Sequence, residues 1–115
     1  MAQWERLFLA SECGPGRQRF VSVGGVELAV FHLAGGRGFV AVANSCPHAG
    51  GNLSAGVVED AVVTCPWHQW RFDLHSGACV ENEQVRVLRF PLRIEDGWVT
   101  VNLEDAERPP PDLSI

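Results

Sequence analysis

Two short segments of this sequence each combine a cysteine with a histidine, at spacings that bring both side chains to one centre. The first segment holds Cys46 and His48, the second holds Cys65 and His68, and sixteen residues separate His48 from Cys65. Thiolates are soft ligands that suit zinc and iron–sulfur clusters, and imidazole binds both zinc and iron. These four side chains therefore predict either a tetrahedral zinc site or a metal cluster with mixed ligands.

The distribution of the four residues favours the cluster. Structural zinc sites usually group their ligands as cysteine pairs and histidine pairs, or use cysteine alone. Here each segment contributes one of each kind, so one iron of a two-iron cluster can take both cysteines and the other both histidines, as in Rieske centres. The order of the four residues does not by itself exclude a zinc site. A disulfide between Cys46 and Cys65 is a weaker alternative, because it would leave the two histidines unexplained.

The residues around these ligands resemble a known family. The runs Cys46–Leu53 (CPHAGGNL) and Cys65–His68 (CPWH) match the two-loop motif of Rieske ferredoxins, and the strand pattern fits that domain over nearly the whole chain. The resemblance implies an all-β fold, an antiparallel β-sandwich in three layers with two cluster-binding loops at one tip. It also implies one [2Fe–2S] cluster, with Cys46 and Cys65 on the inner iron and His48 and His68 on the outer iron.

Four neighbouring positions predict a low reduction potential within that family. High-potential members have a disulfide cysteine in each loop, and the corresponding residues here are Gly51 and Trp67. Those members also have Ser and Tyr hydroxyls that donate to the cluster sulfurs, where this chain has Trp70 and Phe72. We therefore expect a potential near the bottom of the range of roughly −150 to +300 mV for Rieske centres.

The chain departs from the family pattern in two places. Gln69 occupies the position after the second histidine, where glycine is common, and this leaves open how closely the backbone approaches the cluster there. Many Rieske proteins cover the cluster with a proline-rich third loop, but residues 79–84 contain no proline. Some other segment must then provide the cover.

Length and turn residues indicate how these loops are positioned. The 115 residues are enough for one domain, and we expect residues 1–105 to form the Rieske domain and residues 106–115 a proline-rich tail. Glycine and proline turns between short apolar runs favour short antiparallel strands. Pro91 interrupts an apolar run, which predicts a sheet edge or a bulge. The predicted strands cover residues 4–9, 20–23, 26–33, 39–43, 57–58, 61–64, 71–74, 78–80, 85–94 and 98–103.

Charge and hydropathy restrict the partners and the location. A net charge of −5 argues against binding nucleic acid, which requires clustered Lys and Arg. The apolar run Leu7–Ala10 is far shorter than a signal-peptide core, and no run approaches the roughly 20 residues that span a bilayer. We therefore expect a soluble cytoplasmic protein with no membrane partner.

The other chemically active residues have simpler explanations. We expect His32 and His75 to be structural or exposed, and Cys13 and Cys79 to be ordinary thiols. Trp67 and Trp70 flank a predicted ligand, where an indole either shields the cluster, anchors a partner or packs.

The resemblance implies a soluble carrier that passes single electrons from a flavin-dependent reductase to a terminal oxygenase or similar enzyme. A catalytic Rieske oxygenase would need a second iron site with two more histidines and a carboxylate, but only His32 and His75 remain. The chain is thus expected to be a component of an oxidoreductase system and not an enzyme by itself. The alternatives are the small subunit of an NAD(P)H-dependent nitrite reductase and a zinc-binding interaction module.

Overall fold

Short antiparallel strands make up most of the protein. The computed structural model describes residues 4–46, 51–67 and 69–104. The 3₁₀ turns Ala10–Glu12 and Leu53–Ala55 interrupt the strands. The strands of this part of the chain are β1 (Trp4–Leu9), β2 (Gln18–Val23), β3 (Val26–Leu33), β4 (Gly38–Ala43), β5 (Val57–Glu59), β6 (Val62–Thr64), β7 (Arg71–Asp73), β8 (Arg89–Phe90), β9 (Leu92–Glu95) and β10 (Trp98–Asn102).

The strands form three antiparallel sheets. The central sheet has the order β2-β3-β4-β8, a second sheet has the order β1-β10-β9, and the third has the order β5-β6-β7. Hairpins join β2 to β3 and β5 to β6, and their turns suit the right-handed twist of paired strands. Gly24 and Gly25 supply positive φ angles in the first, and Asp60 and Ala61 supply them in the second, one residue later than the sequence predicts.

Both faces of the central sheet are buried, which gives the three predicted layers. In β3, Phe31 packs toward the sheet β5-β6-β7, whereas Val30 packs toward the sheet β1-β10-β9. A strand covered on both sides is continuously apolar, and β3 shows this pattern over its buried stretch from Leu28 to Phe31. We name the two resulting clusters the loop-side core and the far core. The loop-side core comprises Ala29, Phe31, Leu33, Val40, Val42, Cys46, Leu53, Ala61, Val63, Cys65, Phe72, Leu74, Cys79 and Val87. The far core comprises Phe8, Cys13, Leu28, Val30, Ala41, Phe90, Val99 and Val101.

Two predicted strands differ in the structure. Residues 78–80 form isolated bridges, Ala78 with Arg86 and Cys79 with Phe72, because the chain turns tightly around Gly77. The predicted strand 85–94 divides at Pro91 into β8, which pairs with β4, and β9, which pairs with β10. Pro91 therefore marks the point where the chain passes from the central sheet to the second sheet.

The outer face of β10 is more buried than its alternating pattern predicts. Thr100 and Asn102 are almost inaccessible to water although they point away from the far core. Neighbouring strands place aromatic and guanidinium groups on this outer face, where Arg93 stacks on Trp4 at 4.0 Å and Arg6 on Trp98 at 5.4 Å from the ring centroid. These long side chains cover the sheet because their apolar parts lie along it.

Within the described part of the chain, no helix has the length and apolar character required to cross a membrane.

Candidate metal centre

The predicted ligands belong to two loops, one that follows a strand of the central sheet and one that follows a strand of the sheet β5-β6-β7. Cys46 follows β4 in the connection from β4 to β5, and Cys65 follows β6 directly in the connection from β6 to β7. Both cysteines are buried and both belong to the loop-side core. His48 and His68, the other two predicted ligands, lie outside the described residues.

The first loop is closed by Asn44, a buried residue at its entrance. The Asn44 side chain donates to Asn52 Oδ1 at 3.0 Å and accepts from the Ser54 N–H at 2.9 Å. Its backbone carbonyl accepts from the Leu53 N–H at 2.8 Å. One side chain thus joins the start of the loop to its end, and this holds the segment that carries Cys46.

The second loop is closed by its own backbone. The Cys65 N–H donates to the Trp70 carbonyl at 2.7 Å. Gln69 has a φ of 59°, in the left-handed region that favours glycine, so the chain keeps the backbone conformation of a glycine there. The backbone N–H of Trp67 lies within hydrogen-bonding reach of the Cys65 sulfur.

The two thiols lie side by side. Burial raises the pKa of the Cys65 thiol above its ordinary value of 9.0; the Trp67 N–H lowers it, and the Cys46 thiol, within hydrogen-bonding reach, raises it. Two thiolates cannot share a dry site without a compensating cation, since each disfavours ionisation of the other. Metal coordination removes this penalty by replacing the thiol protons. The pair is therefore chemically suited to bind a metal.

This donor set fits a sulfide-bridged iron cluster. The two sulfurs are buried in the loop-side core, so the side of a cluster that they would hold would be dry. In the described ranges, no group of three or more potential metal ligands is found. A four-ligand site here thus depends on His48 and His68.

The remaining histidines and cysteines have structural explanations, as predicted. Nδ1 of His32 lies 2.7 Å from the Cys13 carbonyl, and the ring stacks on Phe39 with centroids 4.0 Å apart. His75 is exposed in a turn. Cys13 and Cys79 are buried free thiols, and burial raises the pKa of Cys13.

Residues 79–81 belong to the segment that lacks the proline-rich loop of many Rieske proteins. They bind to Arg71, the first residue of β7, directly after the second loop. The Glu81 carboxylate accepts from both the backbone N–H and Nε of Arg71, and the Val80 N–H donates to the Arg71 carbonyl at 2.7 Å. The Arg71 backbone N–H and guanidinium hold the pKa of Glu81 below its ordinary value of 4.5. An ion pair and a short backbone ladder therefore order this segment without proline.

Two residues that organise the first loop were not recognised from the sequence. Asn44 is one, and Gln18 is the other: its side-chain amide donates to the carbonyls of Ser54 at 2.6 Å and Gly56 at 2.7 Å. The available signal for Asn44 was a polar residue at the end of an apolar strand, two positions before a predicted ligand. Gln18 gave no such signal because its partners are more than thirty residues away.

A family profile for the Rieske [2Fe–2S] domain matches residues 3–91, most of the chain. The chain is 37% identical over 106 residues to the anthranilate 1,2-dioxygenase ferredoxin subunit of Burkholderia cepacia, a match that covers 90% of this chain and 94% of that protein. Some relatives are much longer. The chain spans only 16% of cholesterol 7-desaturase nvd 1 of Ciona intestinalis, to which it is 40% identical over 78 residues, or 67% of its own length.

Two solved structures share the fold. A chain from the complex of reduced oxygenase and oxidised ferredoxin in carbazole 1,9a-dioxygenase matches with a TM-score of 0.78 and 31% identity, over 86% of this chain and 92% of that one. A protein described as an NADH-dependent nitrite reductase small subunit from Mycobacterium tuberculosis matches with a TM-score of 0.79 and 28% identity. The match covers 94% of this chain and 97% of that one. The profile match and the two-loop architecture agree, and the chain belongs to the Rieske [2Fe–2S] domain family.

Proposed function

We propose that this protein is a Rieske-type ferredoxin that carries single electrons from a flavin-dependent reductase to a terminal oxygenase or a similar redox enzyme. The observation that carries the proposal is the match over nearly the full length of a ferredoxin subunit, combined with two adjacent buried thiols at the ends of two neighbouring loops. When bound, the cluster supplies one reversible one-electron step. The protein acts as a component of an oxidoreductase system and not as an enzyme by itself.

The proposed ligands are Cys46 and Cys65 for the inner iron and His48 and His68 for the outer iron. The position of both cysteines in the loop-side core supports their place on the inner, dry side. We propose residues 1–105 as the domain; the tail predicted for residues 106–115 lies outside the described residues. We propose a cytoplasmic location with soluble protein partners, and neither nucleic acid nor a membrane among them.

Spectroscopy of ligand variants tests this site. The wild-type protein, purified with iron and sulfide present, should be red-brown and give a rhombic EPR signal after reduction. Cys46→Ser, Cys65→Ser, His48→Ala and His68→Ala should each abolish or strongly change that signal, whereas His32→Ala and His75→Ala should keep it. A colourless wild-type protein that contains zinc would contradict the proposal and support a zinc-binding module.

A small subunit of a nitrite reductase is the second candidate. It is supported by the structural match over 94% of this chain to a protein described as such a subunit. Isolation of the native protein separates the two functions. A free carrier should purify alone and restore NADH-dependent turnover to a reductase and an oxygenase, whereas a subunit should copurify with a sirohaem enzyme.

A further inference from the structure

The two ligand loops touch at Gly51 of the first loop and Trp67 of the second. A Cβ atom built on Gly51 would overlap Trp67 Cδ1, and it would lie 2.8 Å from Trp67 Cγ and 3.1 Å from Cys65 Sγ. Real Cβ atoms do not approach other atoms so closely, because the repulsion is too strong. The indole is therefore seated directly on the Gly51 backbone, next to the Cys65 sulfur.

Packing in a hydrophobic core does not explain the position of Trp67. The residue is 59% exposed and belongs to neither the loop-side core nor the far core. By contrast, Trp4 and Trp98 are partly buried, and each has an arginine stacked on it. The indole edge that carries Cδ1 and Cγ instead packs on the Gly51 backbone of the opposite loop.

This contact connects two loops, each of which is also closed by a backbone hydrogen bond of its own. In the first loop the Cys46 N–H donates to the Gly51 carbonyl at 2.8 Å, and in the second the Cys65 N–H donates to the Trp70 carbonyl at 2.7 Å. Both loops carry a proposed ligand beside the contact. An indole in this place fixes the distance between the loops and keeps water from one side of the Cys65 sulfur.

We propose that Trp67 is a positioning residue, which locks the two loops together by packing on Gly51 and shields the cluster at Cys65. This inference rests on the proposed function, because it concerns the surroundings of the cluster. Water near a cluster stabilises the reduced, more negative state, so loss of the indole raises the reduction potential. The same loss exposes the cluster to oxygen and solvent.

Four single variants test the lock in the cluster-loaded protein. Trp67→Ala should shift the midpoint potential upward and speed the loss of visible absorption in air several-fold, whereas Trp67→Phe should lie between it and the wild type. Gly51→Ala keeps the indole but displaces it, because the added Cβ would overlap Trp67 Cδ1. It should therefore also raise the midpoint potential and the rate at which visible absorption is lost in air. Gly14→Ala, where an added Cβ meets nothing within 4 Å, should match the wild type.

A double variant separates the lock from a direct effect of the new methyl group on Cys65. If the indole transmits the effect, adding Gly51→Ala to Trp67→Ala should change neither the potential nor the rate of cluster loss further. Equal effects of Gly51→Ala in both backgrounds would overturn the proposal, as would a Trp67→Ala protein with wild-type potential and wild-type cluster lifetime. A wild-type protein without any cluster would instead refute the proposed function.

Discussion

At the scale of single residues, the loops depend on a few side chains with specific hydrogen bonds. Asn44 is buried and uses both its amide donor and its carbonyl acceptor within the first loop. Gln69 adopts a backbone conformation that costs an L-residue free energy. Neither residue is a proposed ligand, yet both determine the path of the chain that carries the ligands.

Replacing Asn44 tests the closure of the first loop. Asn44→Ala removes two hydrogen bonds and leaves the Ser54 N–H without its partner, so we expect the free energy of unfolding to fall by about 2 kcal/mol. Urea unfolding of the cluster-loaded protein measures this. Asn52→Ala keeps the bond from Ser54 and should cost about half as much; equal costs would contradict the role of Asn44 in closing the loop.

Replacing Gln69 tests the strained backbone of the second loop. Gln69→Gly removes the left-handed penalty and should raise the free energy of unfolding by up to about 1 kcal/mol, after the greater flexibility of unfolded glycine is subtracted. Gln69→Val should lower it by about 1 to 2 kcal/mol, because a β-branched residue fits this conformation poorly. Thermal melting of the three proteins checks the order, and a valine variant as stable as the glycine variant would refute it.

At the scale of elements, the segment after β7 is held to the second loop by the pair Arg71 and Glu81. Both side chains are partly exposed, at 53% and 39%, so water and salt weaken their attraction. The backbone N–H of Arg71 also binds the Glu81 carboxylate, which ties the ion pair to the strand itself. This combination gives the segment an ordered position that depends on charge.

Acid titration should expose this dependence. The pKa of Glu81 is lower in the folded protein, so the pair stabilises the fold above the ordinary value of 4.5 and loses this effect as pH falls through the lower folded pKa. We expect Glu81→Gln to lower the free energy of unfolding by about 0.5 kcal/mol at pH 7 and by less below pH 4. The control is Glu83→Gln at an exposed glutamate. A pH-independent difference between wild type and Glu81→Gln would contradict the prediction.

At the scale of the whole molecule, the two cores give the protein two regions of different stability. The proposed inner-iron ligands belong to the loop-side core, whereas the far core contains no proposed ligand. Metal binding adds free energy of folding mainly to the region that carries the ligands. The cluster should therefore support the sheet β5-β6-β7 more than the sheet β1-β10-β9.

Removal of the iron with a chelator tests this division. Amide hydrogen exchange should become at least about tenfold faster in β5 to β7, because local opening there no longer breaks metal bonds. Exchange in β1 and β10 should change little. Equal acceleration throughout the protein would show that the two cores unfold as one unit, contrary to the prediction.

The reduction potential is also a property of the whole surroundings of the cluster. Phe72 is fully buried and Trp70 partly buried at the two positions where hydroxyl donors would raise the potential. We expect a midpoint near the lower end of the Rieske range, about −150 mV. Protein-film voltammetry measures it directly, and a value well above zero would contradict the assignment of these two positions.

Local sequence patterns were enough to predict the family, the all-β class, most hairpins and the candidate ligands. These features depend on residues that are close along the chain, such as the pair Gly24 and Gly25 or a cysteine and histidine in one loop. The structure confirmed the three layers and the positions of most strands. The assignment of His48 and His68 remains a prediction from the motif, because both lie outside the described residues.

Contacts between residues that are distant along the chain became visible in the folded structure alone. It placed β8 and β9 in different sheets on either side of Pro91, buried Asn44 and the outer face of β10, and brought Gly51 against Trp67. Such contacts join residues many positions apart, and their energies depend on how the layers stack. Local patterns carry no information about that stacking, so the ligands were recognisable from the sequence while the interactions that position them were not.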